Sequence, residues 1–315
     1  MKLDFESRPL QRIIGEFQNS NGPVLFCVAG IHGNEVAGIK ALYAIFEIID
    51  KLGIEVKGTF IGVSGNLAAL KVGKRFIHVD MNRQWDKDVI EKILTQSESE
   101  ALNEEKEMKE LLTLILKYSK RNPNEFLFLD LHTTSAFGGV FGIINNVRKS
   151  LQYATVLNVP VLTDLHDVLH GTSLNYFEEK GIPAMGFEAG QHYAPASVDN
   201  MISAVFMMLV GMNMVKSKEI PDYNYYVKHL YQYGIGLPRL VRFLYRQEVE
   251  SDDQFKMLPG FENFQFVTEG QHIANNKYGR ILSPASGMIL MPLYQKLGND
   301  GFFIVKKIGI SEFLN

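Results

Sequence analysis

The chain has 315 residues, of which 46% are hydrophobic and 21% charged, and 32 Lys and Arg against 35 Asp and Glu give a formal net charge of −3. This composition excludes an intrinsically disordered chain, which would be poor in apolar residues and far from neutral. The near-neutral balance also provides no electrostatic footprint for nucleic acid or an anionic membrane, so we expect neither as a partner.

The amino terminus and the cysteine content both favour a cytoplasmic protein. Asp4 and Glu6 interrupt the region in which a signal peptide needs about 7 to 15 apolar residues. The apolar stretch at residues 201–215 falls short of the roughly 20 residues that cross a bilayer, so we interpret it as a buried, Met-rich helix. The single Cys27 excludes an intrachain disulfide, and a transition-metal site would depend mainly on His and carboxylate ligands.

The first part of the chain alternates between strand-like and helix-like patterns. Residues 24–30 form a short apolar run between two turns, which indicates a buried strand. Residues 35–51 follow with apolar positions spaced by three and four, which predicts a helix that ends near Gly53. Strands covered on both faces are also predicted at residues 59–63, 126–131 and 183–187. Strands separated by helices indicate an α/β domain with a largely parallel or mixed sheet.

Two later regions differ from this alternating pattern in charge or in periodicity. Residues 86–122 are rich in charge and predict an amphipathic helix with a solvated face, to which we assign no function. After about residue 220 the helical periodicity fades, which favours a small β domain. Its short strand-like segments lie at residues 242–249, 263–268 and 301–308.

The C-terminal stretch at residues 270–308 resembles the flattened β-barrel of biotinyl and lipoyl carrier domains. The resemblance rests on a Gly turn, a Ser-Pro-Ala-Ser-Gly segment and a final Gly-Asn-Asp-Gly turn. Residues 288–291 occupy the region in which the modifiable lysine of a carrier domain would lie, and they contain no lysine. We therefore interpret this region as a scaffold and not as a swinging arm.

Ionisable residues lie at the ends of three predicted strands. His32 and Glu35 follow the first strand, and His132 and Glu188 lie at the ends of two others. The carboxyl ends of strands line the binding crevice of an open α/β sheet, so these side chains can converge. Two His and one carboxylate leave a fourth position for water, as in catalytic zinc sites. Glu188 could then act as general base, and Asp130 could support His132.

A further polar segment at residues 74–83 reads KRFIHVDMNR and follows Gly65 and Asn66. Arg guanidinium groups bind carboxylates through two parallel hydrogen bonds, which makes this segment a candidate for binding an anionic substrate. Taken alone, the same residues would equally fit a surface loop that is held by Arg and Asp pairs.

The motifs HGNE, GNLAAL with RFIHVDMNR, DLHTTS and GFEAG occur in this order along the chain. Together they resemble the succinylglutamate desuccinylase and aspartoacylase family of zinc amidohydrolases, relatives of the zinc carboxypeptidases, over roughly residues 20 to 310. The resemblance implies a zinc-carboxypeptidase-like mixed sheet with flanking helices and a C-terminal β-barrel-like cap domain. We expect a catalytic α/β domain at residues 1–220 and a β domain at residues 221–315.

The resemblance also implies a role for each matching residue. It implies one Zn²⁺ per chain, polarisation of the scissile carbonyl by Arg75, and support of the neighbouring loop by Asp80. No Arg lies between Arg148 and Glu188, where the aspartoacylases carry one that reads a side-chain carboxylate. The zinc ligands would be His32, Glu35 and His132, the general base Glu188, and the substrate-binding residues Asn82, Arg83, Tyr176 and Tyr294.

We therefore predict a zinc-dependent hydrolase that cleaves the linear amide bond of a small anionic N-acyl amino acid, such as an N-acetyl or N-succinyl amino acid. Water activated by the metal and by Glu188 would be the nucleophile. Alternatives are a metallocarboxypeptidase acting on short peptides and a metal-binding interaction protein without turnover. A serine hydrolase is disfavoured because Ser64 lies in a motif one residue short of GxSxG. The acyl group, the amino acid and the presence of a homodimer stay open.

Overall fold

The structure, a computed structural model, describes residues 8–19, 21–97, 99–145, 147–309 and 311–312. Its centre is a mixed β-sheet, which lies between two layers of helices. This is the α/β architecture that the alternation of strand-like and helix-like segments predicts. The α-helices in the described part are α1 (Ala37–Leu52), α2 (Leu67–Val72), α3 (Lys87–Thr95), α4 (Asn103–Ser119), α5 (Val147–Ala154), α6 (Ser173–Glu179), α7 (Pro195–Gly211) and α8 (Tyr223–Gly234).

The strands are distributed over one large sheet and one small sheet. The large sheet has the order β1-β3-β2-β4-β7-β5-β6-β8-β14-β13-β10, and the small sheet has the order β12-β11-β9. The bounds are β1 (Ile13–Asn19), β2 (Val24–Ala29), β3 (Gly58–Ser64), β4 (Phe126–Thr134), β5 (Phe141–Ile144), β6 (Val161–Thr163), β7 (Ala184–Gln191), β8 (Leu240–Glu248), β9 (Lys256–Met257), β10 (Phe266–Val267), β11 (His272–Asn276), β12 (Gly279–Leu282), β13 (Gly287–Leu290) and β14 (Asp300–Lys307).

The strands at the centre of the sheet are covered on both faces. Every residue of β2, β3 and β4 is buried, which confirms the strands predicted from nearly continuous apolar runs. In β2, Leu25 packs in the same core as α1 and α7, whereas Phe26 belongs to the core on the opposite face with α4. Successive side chains of a strand point to opposite faces, so one short run contributes to both layers.

The helices of the first layer follow their sequence signals closely. Helix α1 ends at Leu52, and Gly53 then adopts a left-handed conformation with a φ of 61°. Its amide donates to the carbonyls of Ile49 and Asp50, which satisfies two groups that the helix leaves without a partner. Helix α7 contains most of the Met-rich stretch, and the run from Ser203 to Leu209 within it is buried throughout, as expected.

Parallel pairing aligns the ends of the strands that precede the polar motifs. Strand β2 pairs in parallel with β3 and β4, and β4 pairs in parallel with β7. In the last pairing His132 lies opposite Glu188. Because the strands run in the same direction, their carboxyl ends meet at one edge of the sheet. The fold thereby gathers segments that are far apart in sequence.

The C-terminal strands continue the large sheet. Strand β8 pairs in parallel with β6, and β14, β13 and β10 follow it outwards. Strands β9, β11 and β12 form the small sheet. The described residues contain no closed sheet, so the β-barrel-like form predicted for the cap is not confirmed. The physical reason is that β8 pairs with β6 from the N-terminal part of the chain, so the strands that follow β8 extend the large sheet.

A search of the described residues finds no helix that is both long and apolar enough to cross a membrane.

Candidate functional site

Three side chains from two strand ends form a possible metal site. His32, Glu35 and His132 each present a ligand atom, and these atoms lie within 4.8 Å of one another. Glu35 Oε1 lies 2.9 Å from His32 Nδ1, and Glu35 Oε2 lies 3.2 Å from His132 Nδ1. The backbone amide of Thr133 donates to Glu35 Oε2 at 2.8 Å, which fixes the carboxylate between the two rings.

Two aspartates hold the outer nitrogens of these rings. His32 Nε2 lies 3.1 Å from Asp80 Oδ1, and His132 Nε2 lies 3.0 Å from Asp130 Oδ2. Hydrogen bonds of this kind fix the tautomer of a metal-binding histidine, because Nε2 carries the proton and Nδ1 keeps its lone pair. Both rings therefore present Nδ1 towards Glu35. This donor set fits zinc, which binds imidazole nitrogen and carboxylate oxygen.

The charges of the site are mutually stabilising. Burial raises the pKa of Glu35, but the charges and hydrogen bonds of His32 and His132 outweigh it and hold this pKa well below its usual range. Burial also lowers the pKa of His132, yet Asp130 and Glu35 together hold it well above the usual value, so this ring would release its Nδ1 proton when it binds a metal. Glu35 is thus ionised, as a metal ligand must be.

The loop that carries His32 packs directly on the start of α2. Gly33 has no room for a side chain, because a Cβ there would lie 2.2 Å from the carbonyl carbon of Ala69. The amides of Gly65 and Asn66 donate to the carbonyls of Ala29 and Gly30 at 2.7 and 2.8 Å. The GNLAAL motif therefore holds the ligand loop through its backbone.

We expect Gly33→Ala to lower the free energy of unfolding by about 1 to 3 kcal/mol, because the added methyl group collides with the backbone and not with a flexible side chain. Urea unfolding measures the change. Gly309→Ala is the matched control, since a Cβ there meets nothing closer than 3.7 Å. Equal stabilities of the two variants would contradict the close approach of Gly33 to α2.

Glu188 lies beside the possible metal site on β7. It is buried, and its Oε2 atom has no hydrogen-bond partner among the described residues. Burial, opposed in part by the charge of His132, raises the pKa of Glu188 to about 8. A carboxyl group whose pKa lies near neutrality can both accept and release a proton, which is the property of a general base that later acts as acid.

Arg75 is held so that one of its nitrogens faces the metal ligands. Its Nε and Nη2 atoms donate to Asp80 Oδ2 at 3.0 and 2.8 Å, while Nη1 lies 3.8 Å from Glu35 Oε1. Burial raises the pKa of Asp80, but the charge of Arg75 outweighs it and keeps this pKa well below its usual range. Asp80 thereby connects Arg75 with His32.

Asn82 and Arg83 lie together in the same cavity. Asn82 Oδ1 accepts a hydrogen bond from the amide of Ser173 at 2.9 Å, which leaves the NH₂ group of Asn82 as the donor for a ligand. Arg83 pairs with Asp300, and its buried Nε has no partner among the described residues. Asp300 also accepts from Arg246 Nε at 2.6 Å, so two guanidinium groups share one carboxylate.

These groups line a cavity of about 120 Å³. Its polar part includes the possible metal ligands, Glu188, Arg75, Asn82 and Arg83, together with hydroxyl groups such as that of Thr172. The C-terminal region closes another side with Met291, Leu293, Gln295, Asp300 and Phe303. Residues on both sides of the expected boundary near residue 220 therefore build one site.

The structure does not bring the two predicted tyrosines into this cavity. Tyr176 is buried against Trp85 and Phe177, with ring centroids 5.9 and 5.4 Å away. The hydroxyl of Tyr294 donates to the carbonyl of Leu258 at 2.7 Å and accepts from the amide of Phe261 at 2.9 Å. Both tyrosines serve packing or loop structure.

One supporting residue lies in the charged segment to which we assigned no function. Glu104, in the first turn of α4, is fully buried. Its Oε1 accepts from the amide of Ile77 at 2.7 Å and from the side-chain amide of Asn66 at 3.3 Å. It therefore ties together the two loops that hold the site. Its place in the first turn of α4 is shared with Glu105, so no sequence signal distinguishes it from the surrounding acids.

His192 is a further cavity residue without a sequence motif. Its Nδ1 lies 2.7 Å from Thr133 Oγ1, and its Nε2 lies 3.3 Å from Gln295 Oε1. Gln295 also accepts from Asn34 at 3.1 Å. Burial lowers the pKa of His192, so the ring is neutral at pH 7. Its position four residues after Glu188 is the one sequence signal for it.

Comparisons with known proteins identify the family of this chain and relatives of its fold. Residues 21–210 match the family model described as the succinylglutamate desuccinylase/aspartoacylase catalytic domain. A probable aspartoacylase of Trichodesmium erythraeum is 28% identical over 50% of this chain and 53% of its own length. A succinylglutamate desuccinylase of Pseudomonas paraeruginosa is 31% identical over 36% of this chain and 32% of its own length. The chain thus spans about half or less of the length of these curated relatives.

The fold also matches solved structures over nearly the whole chain. The crystal structure of a succinylglutamate desuccinylase/aspartoacylase from Rhodobacter sphaeroides has a TM-score of 0.67 and covers 93% of this chain and 88% of its own. The sequence identity is 15%, so this likeness concerns the fold alone.

Proposed function

Because the chain belongs to the succinylglutamate desuccinylase/aspartoacylase family, we propose that it is a zinc-dependent hydrolase that cleaves the amide bond of an N-acyl amino acid. The supporting observation is that His32, Glu35 and His132 share one cavity with Glu188 and a carboxylate-binding pair. The substrate is then a small anion, and its negative charge complements the two arginines of the cavity.

The side chains of the possible metal site suit zinc and leave room for chemistry. His32 and His132 would bind through Nδ1 and Glu35 through its carboxylate. Three protein ligands are typical of catalytic zinc sites, whereas structural sites use four. When bound, the zinc would act as a Lewis acid that lowers the pKa of water and polarises a carbonyl group.

Glu188 and Arg75 would perform the proton and charge steps. Glu188 takes a proton from the attacking water, and its raised pKa allows it to pass this proton to the leaving amine. Arg75, held by Asp80, donates to the carbonyl oxygen as negative charge develops on it. Because Asp80 already fixes the guanidinium group, little reorganisation accompanies the reaction.

Asn82 and Arg83 would bind the α-carboxylate of the substrate. The NH₂ group of Asn82 and the unpartnered Nε of Arg83 are donors that a carboxylate can use. Asp300 holds the other side of the Arg83 guanidinium group, so Arg83 is oriented before the substrate arrives.

The size of the cavity favours a small substrate over a peptide. Its volume of about 120 Å³ is below the roughly 300 to 1,000 Å³ of pockets that take drug-sized ligands. We propose that the region from residue 221 acts as a cap, since six of its residues line the cavity. A metallocarboxypeptidase would need an opening for the rest of a peptide chain.

We expect the zinc-loaded protein to release free amine from N-acetyl amino acids. The matching N-acetyl amino acid amides, which lack the α-carboxylate, should have a kcat/KM about 10- to 100-fold lower, because hydrogen bonds to a charged group are lost. Arg83→Lys should reduce this preference, since an ammonium group cannot reproduce the guanidinium geometry. A liberated-amine assay measures all three.

Two controls separate the alternatives. Lys87→Arg changes an exposed side chain in α3 and should leave the kinetics unchanged. Dipeptides with a free amino terminus test for carboxypeptidase activity. Faster release from dipeptides than from N-acetyl amino acids would contradict the proposed function, and so would zinc binding without turnover of any N-acyl amino acid.

A further inference from the structure

The wall of the cavity beside the carboxylate-binding pair is apolar. The side chains that form this wall all belong to one buried hydrophobic cluster. They are Ile143, Leu165, Leu169, Leu174 and Phe303. Three of them lie in the segment before Glu188, where the sequence has no arginine.

The contacts of Leu174 and Ile143 show where this wall lies relative to Asn82 and Glu188. The amide of Ser173 donates to Asn82 Oδ1, and the next residue is Leu174. Leu174 and Ile143 meet over Gly186, where a Cβ would lie 3.2 Å from Leu174 Cδ1 and 3.5 Å from Ile143 Cβ. Gly186 and Glu188 are two residues apart in β7, and positions two apart in a strand lie on the same face of the sheet.

The apolar wall therefore lies between the carboxylate-binding pair and the general base. In an N-acyl amino acid, the α-carbon carries the α-carboxylate, the amide nitrogen and the side chain. If Asn82 and Arg83 hold the carboxylate, and Glu188 delivers a proton to the nitrogen, the third substituent is directed towards Leu174 and Ile143. The amino acid side chain is thus the group that meets this wall.

The wall offers nothing to balance a second negative charge. Among the described residues that line the cavity, the arginines are Arg75 and Arg83, and none is a lysine. Arg75 is bound to Asp80, and Arg83 pairs with Asp300 and faces the first carboxylate. Asp300 also lines the cavity, but as an acceptor already shared by Arg83 and Arg246 it offers no donor to a second carboxylate. A charged group buried without a partner costs far more than an apolar group of the same size.

We propose that the substrates are N-acyl amino acids with an apolar side chain, such as leucine, and not the N-acyl derivatives of acidic amino acids. This inference rests on the proposed function for the orientation of the substrate. Burial of an aliphatic side chain against this wall removes apolar surface from water and favours binding.

The test is calorimetric binding to the full-length, zinc-loaded Glu188→Gln variant, which separates recognition from turnover. N-acetyl-leucine should bind at least about tenfold more tightly than N-acetylglycine, as expected when a hydrophobic pocket accepts added methylene groups. N-acetylaspartate should bind no more tightly than N-acetylglycine. Equal binding of the leucine and glycine derivatives, or tighter binding of N-acetylaspartate than of N-acetyl-leucine, would overturn the inference.

A wall variant provides a second measurement. In the Glu188→Gln background, Leu169→Ala should weaken binding of N-acetyl-leucine about tenfold or more and leave that of N-acetylglycine unchanged. Leu94→Ala, at a half-exposed position of α3, is the matched control and should change neither. Equal losses for both ligands in Leu169→Ala would contradict the assignment of the wall to the side chain. Leu169→Met conserves volume and should keep the preference if the alanine variant unfolds.

Turnover by the wild-type protein is measured separately. If neither N-acetyl nor N-succinyl amino acids are cleaved but the order of binding holds, the proposed function fails and the apolar recognition stands. If N-acetylaspartate is cleaved with a higher kcat/KM than N-acetyl-leucine, the proposed function stands and the inference fails.

Discussion

Replacement of Glu188 by Gln is expected to lower kcat by about 10² to 10⁴, the usual contribution of a positioned general base. The amide has nearly the same shape as the carboxyl group, but it cannot accept the proton of the attacking water. Glu188 lies outside the set of ligand atoms formed by His32, Glu35 and His132, so the zinc content should stay unchanged. The liberated-amine assay measures kcat, and elemental analysis measures bound zinc.

Glu179→Gln at an exposed position of α6 is the control for this change and should behave as the wild-type protein. Two results would contradict the role of Glu188. One is turnover within a few-fold of the wild-type rate, and the other is loss of zinc by the variant, which would make Glu188 a ligand.

Removal of the metal should abolish turnover, and added Zn²⁺ should restore it. Glu35→Gln should also abolish turnover, and added Zn²⁺ should not restore it, because the substitution removes the negative charge that lies between the two imidazole rings. We expect the zinc affinity to fall by more than about 100-fold, beyond the 10- to 100-fold loss that is typical when an outer hydrogen-bond partner of a ligand is removed. Competition with a chromophoric chelator measures the affinity.

Asp130→Asn provides the comparison within the same site, since Asp130 contacts His132 and belongs to this outer group. Its loss of zinc affinity should be smaller than that of Glu35→Gln. Full activity of the chelator-treated protein, or a zinc affinity of Glu35→Gln equal to that of the wild-type protein, would contradict the assigned metal site.

The sequence is sufficient to predict that the residues of the possible metal site lie close together, because two local signals locate them. Apolar runs locate β2, β4 and β7, and parallel strands bring their carboxyl ends to one edge. His32, His132 and Glu188 needed no further information to be placed together. The short spacing of His32 and Glu35 then placed the third ligand.

The pairing of the C-terminal strands could not be predicted in this way. Alternation and turn residues indicate that a segment is a strand, but they do not identify the strand beside it. The parallel contact of β8 with β6 joins residues about 80 positions apart in the chain. The resemblance to a barrel rests on the local sequence pattern of residues 270–308. The architecture depends instead on the pairing of β8 with β6, which that pattern does not reveal.

The roles of single supporting residues could not be predicted from sequence for a related reason. Glu104 resembles the other acids of α4, and its role follows from the amide of Ile77, which reaches it through the fold. Asp300 likewise acquires its role from Arg83 and Arg246, neither of which is near it in sequence. Tyr176 is the opposite case, because this residue at a position that resembles a family motif packs in the hydrophobic core.

The continuity of the large sheet limits how the cavity can open. Asp300 and Phe303 reach the cavity from β14, which is hydrogen-bonded to β8, and β8 is hydrogen-bonded to β6. A cap that swung about a hinge would have to break the ladder between β6 and β8. We therefore expect ligands to enter and leave through rotation of side chains and local shifts of loops, such as the one that carries Leu293 and Gln295.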